Sequence, residues 1–183
     1  MKKVSSSLCA ICVDLDGTLI SRDSLWTLCA TVLLRPSIWK KILWPFSWIH
    51  IKSALARYGV LDPQKLAYNQ ALLRDIQKWK KKGHPIFLVT GAHQRIAHII
   101  AQHLGLFDEA FGSSDTYNLS GRKKGLFLRQ LFGEGNFWYI GDCWKDRHVW
   151  CWCSVIGIVS PEGPLLWYMR YKKKPHQILI RYT

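Results

Sequence analysis

The sequence predicts an α/β fold: a doubly wound (Rossmann-like) parallel sheet of about five strands, with a small helical cap inserted after the first strand. Two observations carry that expectation. Short apolar runs alternate with helical segments along most of the chain, the pattern of a parallel sheet covered by helices on both faces. In addition, Asp14, Thr90 and Asp142 each stand just past the end of an apolar run. Open parallel sheets bind ligands in the crevice beyond the carboxyl ends of their strands, so three residues far apart in sequence are expected to meet there.

Taken in order, Leu8 to Asp14 reads as the first buried strand, ending in acidic residues and a Gly-Thr turn. From Ser24 to about Tyr68 the pattern turns helical and rich in tryptophan, which makes it the insert. Leu72 to Lys82 forms a helix that closes in lysines and is stopped by Gly83. Ile86 to Val89 is the second strand, running into Thr90-Gly91. A helix over Gln94 to Leu104 follows, with Gly105 as its stop. Ala110-Phe111 is a brief third strand, Lys124 to Phe132 a helix, Phe137 to Ile140 the fourth strand, Asp146 to Trp152 a helix and Val155 to Val159 the fifth strand. The segment from Arg170 to Thr183 is basic, has no clear period and is left unassigned. The expected organisation is a core over residues 1–20 and 70–169, a cap over 21–69 and a basic tail over 170–183.

Composition narrows the function classes. The 183 residues carry 26 Lys plus Arg against 12 Asp plus Glu, a formal net charge of +14. A surplus of that size favours an anionic partner: a phosphorylated substrate, an anionic membrane surface or nucleic acid. Nucleic acid is the least favoured, because the lysines gather at helix ends and in the tail and no nucleic-acid fold signature is present. The two most apolar stretches are broken by Arg35, Pro36, Lys40-Lys41 and Pro45, so neither reaches the ~18 apolar residues of a spanning helix. Six cysteines and an N-terminus without a secretion signal imply reduced thiols and a cytoplasmic location. Cys9 and Cys12 form a CxxC, and Cys151 and Cys153 a CxC, spacings that zinc can use. Cys9 and Cys12 lie in an apolar run, however, where free cysteine behaves as a small hydrophobe.

The strongest chemical signal is Asp14-Leu15-Asp16-Gly17-Thr18-Leu19. Two carboxylates one residue apart in an extended segment point to the same side of the chain. They repel, and need a cation or a shared proton to coexist; magnesium with oxygen ligands would serve. Gly17 lets the chain turn sharply away. Val89-Thr90-Gly91 offers a hydroxyl and an amide to phosphate oxygens, although Thr-Gly turns are common. Gly141-Asp142 and, four residues on, Asp146 add two carboxylates, which helix capping would also explain. Arg122-Lys123-Lys124 lies between, readable either as a solvated basic turn or as a source of a site cation.

In this order, DLDGTL, TGA, a lysine opening a helix and GDxxxD resemble the four motifs of the haloacid dehalogenase (HAD) superfamily. The pieces VDLDGTLI, HLGLFDE, NLSGRKKG and GDCWKDRHVW further resemble the HAD domain fused ahead of bacterial polyprenyl transferases. The likeness runs from about Ala10 to Pro161. No transferase segment follows in this sequence, so the expectation is a standalone relative or a piece of a larger fusion. The resemblance implies a phosphatase with Asp14 as nucleophile, Asp16 as general acid and base, Thr90 and Gly91 binding phosphoryl oxygens, and Lys124 (with Lys123 as competitor) neutralising charge. It implies Mg2+ on Asp14, Asp16 through its carbonyl, and Asp142, with Asp146 a ligand or the residue that orients Asp142. The alternative is a membrane-docking module that keeps the fold without catalysis.

Within the insert, Trp39, Trp44 and Trp48 interleave with Lys40, Lys41 and Lys52. That make-up suits a helix lying in a membrane interface, while the alternative is that the tryptophans pack cap against core. Together with the resemblance, it implies a phosphorylated small-molecule or lipid-linked (polyprenyl) phosphate substrate. It also implies peripheral contact with the inner face of the membrane and a prenyltransferase partner.

Overall fold

The computed structural model describes residues 8–21, 61–159, 163–175 and 177–182. Its centre is a six-stranded, all-parallel sheet in the order β3-β2-β1-β4-β5-β6. The strands are β1 (Ala10–Val13), β2 (Ile86–His93), β3 (Glu109–Ser113), β4 (Phe137–Gly141), β5 (Val155–Val159) and β6 (Ile178–Tyr182). Between them run α1 (Gln70–Lys81), α2 (Gln94–Leu104), α3 (Gly121–Phe132), the short α4 (Arg147–Trp150) and α5 (Gly163–Lys172).

Period-two alternation in buried strands builds two cores, one on each face. Ile11, Val13, Ile86, Leu88 and Ile140 point to one side and meet Leu72 and Ile76 of α1 and Ile96, Ala97 and Ile100 of α2. Cys12, Phe87, Val89, Phe137 and Tyr139 point to the other, where Leu128 of α3, Trp150 of α4 and Leu165 and Met169 of α5 cover them. Cys12 and Cys153 are thus small hydrophobes of the second core. Helix ends follow their chemistry: Asn69 caps α1 by accepting from the Leu72 amide at 3.1 Å, and Gly105 closes α2 at φ 62°.

The described residues on either side of 22–60 meet at one place. Ile20 bridges Tyr68, the Ser21 amide donates to the Ala67 carbonyl at 3.0 Å, and the Asn69 amide donates to that of Leu19 at 2.9 Å. The proposed interfacial tryptophans Trp39, Trp44 and Trp48 and their lysines lie outside the described residues.

The six strands agree with the expected parallel sheet of about five: the basic segment after Arg170 completes α5 and then forms β6, which pairs with β5 from Val155↔Ile178 to Val159↔Tyr182. Strand β6 is a half-exposed edge, so it lacks the continuous apolar run of its neighbours. Three details of the elements are corrected. Strand β2 continues past Val89 to His93, because after a register shift His93 pairs again with Ser113 of β3. Strand β3 is likewise longer than Ala110-Phe111. The helix expected over Asp146 to Trp152 is instead a 3-10 turn (Trp144–Asp146) and α4. The chain tightens there because the Asp146 carboxylate turns back to accept from the amides of Asp142 and Cys143, both at 3.2 Å.

Candidate active site

Register brings the expected residues to one edge of the sheet. Val13 of β1 is level with Leu88 of β2 and with Ile140 of β4, so Asp14, Thr90 and Asp142 all lie within two residues beyond the same level. This is also where the strand order reverses, between β1 and β4.

Asp14 is 6% exposed. Its Oδ1 accepts from the Leu15 amide at 2.8 Å, and its Oδ2 lies 2.9 Å from the Lys124 ammonium. Lys124 is itself buried, 3% exposed, near the start of α3. The neighbouring Gly125 explains how α3 comes so close: a Cβ there would overlap the His148 carbonyl of α4. Lys124 donates to the Tyr139 hydroxyl at 2.8 Å, and that hydroxyl donates to Asp146 Oδ1 at 2.9 Å. Lys124 also lies 3.8 Å from Asp146 Oδ1. A continuous buried chain therefore runs Asp14–Lys124–Tyr139–Asp146 and on to the Asp142 and Cys143 amides.

Asp142 faces this chain from β4. Its Oδ1 accepts from the Thr18 hydroxyl at 3.1 Å. Gly17, at φ 76°, passes so near that any Cβ would overlap the Asp142 carboxylate. Thr90 is fully buried, and its hydroxyl accepts from the Ala92 amide at 3.0 Å. Gly91 sits beside Ser120 and accepts at its carbonyl from Ser113. Asp16 is half-buried in the turn after β1, bridged to Ile20.

Electrostatically the site is short of positive charge. Burial, with Asp146 and Asp142 adding to it against the pull of Lys124, raises the Asp14 carboxyl to about 7. Burial and Asp146 raise Asp142 to about 6. Desolvation alone would pull Lys124 down, but Asp14 and Asp146 together outweigh it and hold the ammonium charged. The Lys124 ammonium keeps its proton, while Asp14 and Asp142 are left short of positive charge. An oxygen-rich donor set with surplus negative charge fits a hard divalent cation. Asp142, Cys143 and Asp146 form a group whose ligand atoms lie within 4.8 Å of one another. Burial and the two carboxylates push the Cys143 thiol up to about 12, so it is a donor to Asp146 Oδ2 and not a thiolate. Asp14 and Asp146 each accept on both oxygens, whereas Asp142 accepts on Oδ1 from Thr18.

Residues 40–148, more than half of the chain, match the haloacid dehalogenase-like hydrolase family. The chain belongs to that family. A 140-residue stretch is 40% identical to an uncharacterized protein of Sinorhizobium fredii, and covers 75% of this HAD hydrolase chain but 27% of that relative. The chain thus spans about a quarter of the relative's length. Among solved structures, a substrate-bound phosphoserine phosphatase aligns over 96% of this chain and 94% of its own with a TM-score of 0.65 at 14% identity. A Bordetella pertussis protein of unknown function aligns over 96% and 99% with a TM-score of 0.69 at 12% identity. Identities this low speak for the HAD fold alone.

Tyr139 was not among the residues expected from sequence. Its signal was present: a tyrosine inside the buried run Phe137 to Ile140 needs a partner for its hydroxyl, and Gly141-Asp142 follows at once.

Proposed function

We propose that this HAD hydrolase is a magnesium-dependent phosphomonoesterase working through an aspartyl-phosphate. The observation that carries the reading is the buried Lys124 ammonium 2.9 Å from Asp14 Oδ2, at the edge of the sheet where Thr90 of β2 and Asp142, just past β4, also lie. Asp14 attacks phosphorus; the ester P–O bond breaks and Asp16 gives the leaving oxygen its proton. Water then attacks the aspartyl-phosphate, its proton passing to Asp16, and the P–O bond to Asp14 breaks to release phosphate. Thr90 and the Gly91 amide hold phosphoryl oxygens while Lys124 offsets the charge that grows on them. Asp14, Asp142 and the Asp16 carbonyl would hold magnesium, with Asp146 ordering Asp142. When bound, the ion supplies Lewis-acid polarisation of the phosphoryl group.

For substrate we propose a lipid-linked phosphate such as a polyprenyl phosphate, met at the inner face of a membrane beside a prenyltransferase. The surplus of basic residues and the aromatic, lysine-rich insert support that choice. A panel of soluble and lipid phosphate esters, assayed with magnesium and with chelator, tests the reading. Hydrolysis is expected only with the ion, and Asp14→Asn should abolish it while the folded state persists, since an amide of equal size is a poor nucleophile. Near wild-type turnover in that variant would remove Asp14 from the mechanism.

A further inference from the structure

Helix α5 turns Leu165 and Met169 into the second core and leaves an outer face with no cover among the described residues. Trp167 and Tyr171, one turn apart on that face, are 70% and 74% exposed. They stack on each other, with ring centroids 6.1 Å apart and planes within 4°, so neither is spent on the core. The Lys172 ammonium lies 5.5 Å above the Tyr171 ring, and Arg170 is exposed beside it. From Gly163 to Pro175 the sequence holds four basic residues and no acidic one. A second aromatic pair joins α5 to the turn after β4. Trp144, two residues past Asp142 and 39% exposed, packs on Tyr168 of α5 with centroids 5.3 Å apart.

Lys174 is paired with Glu134 at 2.7 Å, but exposed aromatics on a helix face beside the exposed Arg170 and Lys172 are the make-up of a surface that seats in a headgroup layer. Tryptophan and tyrosine favour that boundary, and lysine and arginine favour anionic lipids. We propose that the outer face of α5 docks on an anionic lipid bilayer, with Trp167 and Tyr171 entering the headgroup region and Arg170 and Lys172 meeting lipid phosphates. Delivery of a lipid-linked phosphate rests on the function proposed above; the docking surface itself does not.

The test is cosedimentation of the full 183-residue chain with phosphatidylglycerol-containing vesicles and with pure phosphatidylcholine vesicles. Three variants accompany it: Trp167→Ser/Tyr171→Ser, Arg170→Gln/Lys172→Gln and Trp39→Ser/Trp44→Ser/Trp48→Ser, each checked by thermal melting. Wild type should bind the anionic vesicles preferentially, and less at high salt. Each α5 variant should bind about tenfold more weakly or less, with hydrolysis of a soluble ester unchanged. The proposal falls if wild type binds neither vesicle, if it binds both equally, or if the α5 variants bind as wild type does. It also falls if sedimentation velocity shows a dimer that Trp167→Ser/Tyr171→Ser dissolves, since a second copy would then own the face. Loss of ester hydrolysis with vesicle binding intact would overturn the catalytic reading and leave this one standing.

Discussion

Lys124 and Tyr139 show how a buried polar chain divides labour. The ammonium is held by Asp14 and by the tyrosine hydroxyl, and the same hydroxyl fixes Asp146, which fixes the Asp142 loop. Tyr139→Phe removes one donor and one acceptor from a buried site and leaves Lys124 and Asp146 each short of a partner, at ~1–3 kcal/mol of stability. We expect kcat to fall roughly 10–100-fold, as when a supporting hydrogen bond is lost behind a metal ligand, with KM for a soluble ester little changed. A change confined to KM would place Tyr139 in substrate binding instead. Asp16→Asn should slow both halves of the reaction, by on the order of 10²–10⁴-fold. Single-turnover formation and decay of the aspartyl-phosphate would read this, and rates within a few-fold of wild type would show that another group moves the proton. Asp14 stood out in sequence, and the family resemblance pointed to Lys124, because both sit in motifs; the structure puts the two 2.9 Å apart. Sequence did not lead to Tyr139, whose role is set by which neighbour its hydroxyl finds after folding.

At the level of elements, α3 and α4 decide where Lys124 goes. Gly125 lets the two helices approach, because a side chain there would overlap the His148 carbonyl. Two effects oppose each other in Gly125→Ala. Helix propensity favours alanine by ~1 kcal/mol, whereas forcing an extra carbon into closed packing costs typically 1–3 kcal/mol. The clash is with backbone, which has no rotamer to yield, so the cost should win: a lower Tm, and a loss of turnover as Lys124 is carried away from Asp14. A higher Tm would show that α3 floats free of α4. The elements most legible in sequence were those with continuous apolar runs, β1, β4 and β5, and the helices closed by glycine. Strand β6 was not legible, since an edge strand with exposed Ile178 and Arg181 needs its partner β5 to define it. The Trp144–Asp146 turn was hidden for a similar reason: Asp146 looks like a helix residue until its carboxylate is seen capping Asp142 and Cys143.

For the whole molecule, the under-neutralised site sets how stability depends on pH. Asp14 and Asp142 titrate near 7 and near 6 in the folded chain, against an ordinary 3.8. Between pH 3.8 and about 7 the folded state therefore holds protons that the unfolded state has already released. Stability falls as pH rises wherever the folded state binds more protons, so both groups favour the metal-free fold at the acidic end and penalise it fully above about pH 7. The other charges pull the opposite way, since a chain at +14 with seven histidines gains further positive charge as pH drops. The prediction is for that reason a difference. In chelator, the Tm of Asp14→Asn minus that of wild type should become more positive from pH 4 to pH 8, whatever constant offset the lost Lys124 partner adds. Magnesium, binding the ionised carboxylates of the folded state, should raise the wild-type Tm more at pH 8 than at pH 5, and should do little for Asp14→Asn. Thermal melts of both proteins at those pH values, with and without the ion, read all three effects. A pH-independent difference would mean that Asp14 is already ionised and satisfied by Lys124 without any metal, and the surplus of negative charge assigned to the site would be wrong.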